Sequence, residues 1–358
     1  MRRTRQEFGR FRWLILILLT AAGGMGLPVE TAGQEQVSLR GDEVAVFNLA
    51  GEVEVLSGGG DQVIVEIMRG GSEASRLDLI TREVDGREAL VVRYPEDRVI
   101  YPEMGRGTTG VRVGDDGTFY RGEEGWFGRR VRIAGSGRGL EAWADLRIRV
   151  PRGRDVALYL AVGRTDVRDV EGDLLVDTGS GTVETRGTRG ELEIDTGSGS
   201  VVVRDARGEL WIDTGSGGVE LTDIQGGDVE VDTGSGSVRG SRITASAFRV
   251  DTGSGEIALE EVSCPEMELD TGSGAVDVEV LTDVDELTVD TGSGSITVRL
   301  PASVGARIEV DSGSGQIDVD LPVEVQEMER DHLRGILGDG RGEITLDTGS
   351  GGVRITGG

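Results

Sequence analysis

One short string carries most of the chemistry that this sequence offers. Asp-Thr-Gly-Ser-Gly begins at Asp177, Asp195, Asp213, Asp232, Asp251, Asp270, Asp290 and Asp347, and Asp-Ser-Gly-Ser-Gly begins at Asp311. Asp-Thr-Gly-Ser is the motif in which aspartic proteases place a catalytic aspartate, and that chemistry needs two aspartates sharing one proton. The starts from Asp177 to Asp311 lie 18, 18, 19, 19, 19, 20 and 21 residues apart, and the last interval is 36. None of these intervals holds a protease lobe of about 150 residues. A recurring structural turn is expected instead, with the aspartate accepting backbone N–H bonds two or three residues on. A second chemistry is open to the same residues. Aspartates stacked one repeat apart repel unless hydrogen-bonded, protonated or bridged by cations, and calcium suits an oxygen-rich column. Asp177, Asp195, Asp213, Asp232, Asp251, Asp270 and Asp290 are therefore the calcium candidates. The sequence does not contain the nonapeptide repeat of calcium-binding β-rolls, so the capped turn is the structural expectation and no cofactor is assigned.

Other chemistries are excluded by what is scarce. The chain has 358 residues and no lysine, one histidine (His332) and one cysteine (Cys264). A Walker-type phosphate loop and a Schiff-base enzyme both need lysine. A Cys/His zinc site needs more ligands of those types, and no disulfide can form within the chain. Cys264 precedes Pro265 and reads as an inert small residue, and His332 lies in an insertion and reads as solvated. The formal net charge of -27 disfavours nucleic acid and anionic membrane surfaces as partners.

The repeat itself says which elements hold these residues. The unit reads L-x-V-D-T-G-S-G-x-V-x-V, with short alternating segments on both sides of the turn. Alternation of this kind means strands with one buried face. Three-residue strands do not survive in an isolated hairpin, but stacked repeats bury one another's apolar faces. The expected fold is all-β, a parallel β-solenoid of 18–21-residue coils, right-handed by expectation. Three inward columns follow, running from Leu174 to Ile308, from Val176 to Val310 and from Val183 to Ile317. Glycine accounts for 60 residues, and the fixed glycines of each turn are expected to reach positive φ. The threonines (Thr178 through Thr291) sit beside these glycines, which argues against a flat ice-binding array. Trp211 points outward from a strand and is a candidate ligand platform.

The flanks differ from the repeats. Residues 1–33 show a basic head, an apolar run from Trp13 to Ala22 and small residues after it, the layout of a secretory signal peptide. An uncleaved anchor is the alternative. Residues 34–157 keep strand alternation and read as degenerate coils, interrupted at 94–141 by a Gly/Arg-rich loop. That loop carries Trp126 and Phe127, candidate contact residues. Residues 158–321 form the regular solenoid. In 322–358 an insertion, Pro322 to Glu343, packs near the cap before a final coil at Leu346–Ile355.

The stretches Gly51–Val55 (GEVEV), Arg147–Val156 (RIRVPRGRDV) and the repeated VDTGSG resemble the bacterial adhesin-type β-strand-repeat family, a domain of unknown function related to auto-transporter adhesin heads. The resemblance spans about residues 43–357. It implies an exported β-solenoid without catalytic residues or cofactor, and it carries over no site. The functional expectation is a non-enzymatic module at the cell surface or in the envelope, secreted or periplasmic. It would bind a glycan or protein ligand, with no membrane insertion of the mature chain. The alternatives are a signalling scaffold that binds an envelope membrane partner, and a polysaccharide-active β-helix enzyme.

Overall fold

The computed structural model describes residues 35–119 and 128–358. Among the described residues thirty-three strands form two large sheets, of 15 and 14 strands, and a small sheet of four. Among the described residues no helix is long and apolar enough to cross a membrane.

Each repeat is one coil with one strand in each large sheet. In the Asp232 coil, Asp228–Thr233 lies in the 15-stranded sheet, here the front, and Val238–Thr244 lies in the 14-stranded back sheet. Successive coils pair in parallel and in register: Val229 opposite Phe248, Val231 opposite Val250, Thr233 opposite Thr252. Every second residue faces inward, so the apolar positions stack into columns between the sheets. The three expected columns are buried wherever a coil lies on both sides, as Phe248, Val250 and Ile257 show. Ile317, on the terminal back strand, is only half-buried. The back strand adds a further column (Ala206, Ile224, Ile243, Val262) beyond a kink. At that kink one residue per coil adopts the left-handed conformation: Asp169, Gly187, Asp205, Asp223, Arg242 and Glu261, with φ of 54°, 72°, 51°, 58°, 55° and 55°.

Order in space departs from order in the chain at both ends. The last coil, Gly342–Thr348 with Val353–Gly357, was expected to end the stack. Instead it lies between the Asp290 coil (Glu286–Thr291, Ile296–Leu300) and the Asp311 coil (Ala306–Ser312, Ile317–Asp320). The columns permit this because Ile344 fits between Leu287 and Ile308, and Leu346 between Val289 and Val310. The expected insertion forms an antiparallel hairpin, Val323–Met328 with His332–Leu337, which pairs onto Ala306–Ser312 and closes the front sheet.

At the other end, only Glu43–Ala50 and Val53–Gly58 make a true coil, stacked on Asp155–Val162 and Thr165–Arg168. The remaining strands expected as degenerate coils are not coils. Arg87–Arg93 and Trp143–Pro151 add one parallel layer, and antiparallel strands cover it. Antiparallel hairpins end a parallel stack without leaving a long open edge. The stretch expected as a loop, 94–141, contains the four-stranded sheet of Arg98–Ile100, Thr108–Val113, Arg129–Ala134 and Leu140–Glu141. Trp126 and Phe127 lie outside the described residues.

The left-handed kink generates a prediction. An L-residue there costs about 1–2 kcal/mol, and glycine avoids that cost at an entropic loss of roughly 0.5–1 kcal/mol. Glu261→Gly should therefore raise the denaturation midpoint slightly. A fall would show that contacts of the Glu261 side chain outweigh its backbone strain.

Candidate functional site

The turn that carries Asp-Thr-Gly-Ser-Gly is organised by its threonine. Alternation turns the aspartate outward and the threonine inward, and Thr214, Thr233, Thr252, Thr271, Thr291 and Thr348 are all buried. The Thr252 hydroxyl accepts the Gly255 N–H at 3.0 Å and donates to the Gly236 carbonyl of the preceding coil at 3.0 Å. The same pair of bonds recurs at Thr233, Thr271, Thr291 and Thr348, and Ser312 donates to Gly351 at 3.0 Å. From the Asp213 coil onward the cap expected from the aspartate is thus made by the threonine, whereas the buried Thr196 hydroxyl has no hydrogen-bond partner among the described residues. Among the described residues Asp213, Asp232, Asp251, Asp270, Asp290 and Asp347 make no hydrogen bond or ion pair.

The second glycine of the turn reaches the expected positive φ at Gly181 (153°) and Gly199 (158°), but in the later coils another constraint holds it. A Cβ on Gly255 would stand 1.8 Å from the carbonyl oxygen of Gly236, and on Gly274 1.8 Å from that of Gly255. Close approach between coils, rather than positive φ, excludes every other residue there. Gly255→Ala should cost about 3 kcal/mol or more, or prevent soluble expression. Gly218→Ala, whose Cβ would meet nothing closer than 3.5 Å, should be near neutral. Equal effects in thermal unfolding would refute the close-approach account.

The aspartates form one outward line in register: Asp177, Asp195, Asp213, Asp232, Asp251, Asp270, Asp290, Asp347 and Asp311. Burial, and next the charge of Asp251 and its fellow neighbour, raise the carboxyls of Asp232 and Asp270 above the usual range. Burial with Asp290 and Asp311 does the same for Asp347. Each coil supplies one carboxylate, and among the described residues no three of the line converge on one ion. A raised acid binds protons more tightly in the native state, so stability falls as pH rises through the carboxylate range. Asp270→Asn should therefore raise the unfolding midpoint at neutral pH, and the gain should vanish on acidification. A gain that is independent of pH would sink the repulsion account.

Trp211 stands outward on the front sheet between Glu193 and Glu230. It lines a shallow groove of about 280 Å³ with Asp228, Glu230, Arg249 and Glu266. The groove continues along the same face past Glu268 and Glu286 to Thr288. Arg249 is ion-paired with Glu268 at 3.2 Å. An indole face rimmed by carboxylates and a guanidinium can stack on an apolar sugar face and hydrogen-bond its hydroxyls.

Cys264 is buried and donates to the Glu266 carbonyl at 3.1 Å, and burial pushes its thiol up to about 11, so it is inert. His332 is half-buried rather than solvated and lies 2.8 Å from Asp311. Sequence reasoning missed Asn48, which donates to the carbonyls of Ala50 and Ala144 and accepts from the Tyr94 hydroxyl at 2.8 Å. A lone asparagine inside an apolar run was the available signal. It also missed Glu52 and Asp145, whose carboxyls are both raised first by burial and, for Glu52, next by the charge of Asp145.

Comparison with known proteins bears on the fold. No curated protein matches the chain. A solved structure described as a putative cell adhesion protein from Clostridium sporogenes is 10% identical. The alignment covers 91% of this chain and 99% of that one, with a TM-score of 0.20, too low for one backbone to inform the other. The family model for Toastrack DUF4097 matches residues 146–356, the regular coils and both strands of the terminal one, and the chain belongs to that family.

Proposed function

We propose that the chain is an exported, non-enzymatic binding module of the cell surface or envelope, and that its front sheet holds a glycan at Trp211. The observation that supports this reading is the indole in the groove of Asp228, Glu230, Arg249 and Glu266. A large aromatic side chain set among hydrogen-bonding groups on a stiff stack suits a weakly held polar ligand. The acidic line beside the groove disfavours uronic and sialic acids, so neutral or amino sugars are the ligand class. Repetition of the fold along one axis allows many copies displayed together to add avidity.

The test is a glycan array probed with the chain lacking residues 1–33, followed by titration of the best binder. Trp211→Ala should weaken binding about tenfold, as expected for loss of a stacking contact of roughly 1.4 kcal/mol. Absence of signal across a broad panel, or unchanged binding by Trp211→Ala, would overturn the proposal.

A further inference from the structure

The single histidine of the chain sits where the inserted hairpin meets the aspartate line. Its strand, His332–Leu337, runs antiparallel to Ala306–Ser312, with His332 directly opposite Asp311 and Arg334 opposite Glu309. Glu309 and Asp311 are two residues apart on one strand and therefore share its outward face. One donor atom from each of Glu309, Asp311 and His332 lies within 4.8 Å of the other two. On the far side of Asp311, the terminal coil places Asp347 in register.

We propose that Glu309, Asp311 and His332 form a binding site for one divalent first-row transition ion of the zinc class. Such ions take imidazole nitrogen and carboxylate oxygen at about 2.0–2.2 Å, which sets donors roughly 3.4 Å apart around a tetrahedral centre. Rotation of the partly exposed Glu309 and His332 side chains closes the remaining distance without moving the strands. The nitrogen donor separates this site from the other coils, where Glu193, Glu230 and Glu268 stand two residues before Asp195, Asp232 and Asp270 but no imidazole joins them. Calcium and magnesium prefer all-oxygen sites, whereas imidazole suits zinc and its neighbours. Arg334 holds the other face of the site, donating to Glu309 Oε1 at 2.9 Å, and Glu309 Oε2 is the oxygen that would turn to the ion. Three protein ligands leave a fourth position for water or for a ligand atom. A bound ion would tie the closing hairpin to the Asp311 coil, and so would stabilise the end of the stack. This inference rests on the hairpin register and is independent of the Trp211 reading.

The test is calorimetric titration of the chain with Zn²⁺, together with visible absorption on adding Co²⁺. One ion per chain is expected, with a raised unfolding midpoint in Zn²⁺, as for any ligand of the native state. His332→Ala and Asp311→Asn should each weaken Zn²⁺ binding by more than about tenfold, while Asp251→Asn in mid-line should leave it unchanged. Because both site residues are partly exposed, the variants should fold, and circular dichroism checks this. No saturable binding would overturn the proposal. So would equal affinity of His332→Ala, or binding of several ions that Asp251→Asn diminishes.

Discussion

The rest of the molecule depends on the approach of one coil's turn to the next. Strands in a sheet sit about 4.8 Å apart, and the turn keeps that spacing beyond its first glycine, where the Gly253 N–H still donates to the Thr233 carbonyl of the preceding coil at 3.1 Å. It does so by setting the backbone at Gly255 against the Gly236 carbonyl, with no room for a Cβ. The Thr252 hydroxyl then bonds both the turn and the preceding coil. Loss of either leaves buried backbone groups unpaired, at about 1–3 kcal/mol each. The aspartate line follows from this arrangement. If the threonine must face inward, its predecessor on the strand must face out, and in register it must stand beside its own copies. Nothing in the contacts of Asp213 through Asp290 explains why that outward residue is aspartate rather than a neutral one.

A stack held by identical contacts has no preferred order of coils, and the two ends exploit this. The terminal coil enters between the Asp290 and Asp311 coils because every column it meets is chemically the same on both sides. Its Thr348 bonds the Gly294 carbonyl, and the Ser312 hydroxyl bonds the Gly351 carbonyl, so the chain of turn bonds continues through the inserted coil. At the other end, Glu43–Ala50 meets Asp155–Val162 after more than a hundred intervening residues. There a specific device replaces the repeat: Asn48 and Tyr94, buried and mutually bonded, pin the first coil to Ala144 of the added parallel layer.

The periodicity made the solenoid and its three inward columns legible, because alternation and spacing alone decide which side chains stack. It could not assign the turn's roles. Aspartate and threonine both cap turns through side-chain oxygen, and only the inward or outward phase, fixed by the buried pair before each turn, such as Leu192 and Ile194, separates them. Likewise a glycine demanded by positive φ and one demanded by a neighbouring carbonyl look identical in one dimension. The insertion of the terminal coil was hidden by the very sameness of the repeats, and the 36-residue interval was its sole trace. The groove at Trp211 was half legible: its outward phase was readable, but its partners Asp228, Arg249 and Glu266 come from three different coils.

The two faces differ in how charge is settled, and this bears on where a ligand can bind. On the back sheet, arginines of one coil pair with acids of a neighbouring one: Arg204 with Glu220, Arg239 with Glu256, Arg242 with Asp223 through two bonds, and Arg299 with Asp277. Each such exposed pair is worth little, about 0–1 kcal/mol, yet together they give these arginines an acid partner on a neighbouring coil. The front sheet carries the aspartate line and Asp228, Glu266 and Glu286, with fewer arginines against them. Its carboxyls at Asp232, Asp270 and Asp347 are raised because burial and like charge have no counter-charge to offset them. A face left in that state gains free energy from any cation or hydrogen-bond donor that settles on it, whereas the back face would have to break pairs first. The Trp211 groove and the Glu309–Asp311–His332 group, the two proposed sites, both lie on this less compensated face.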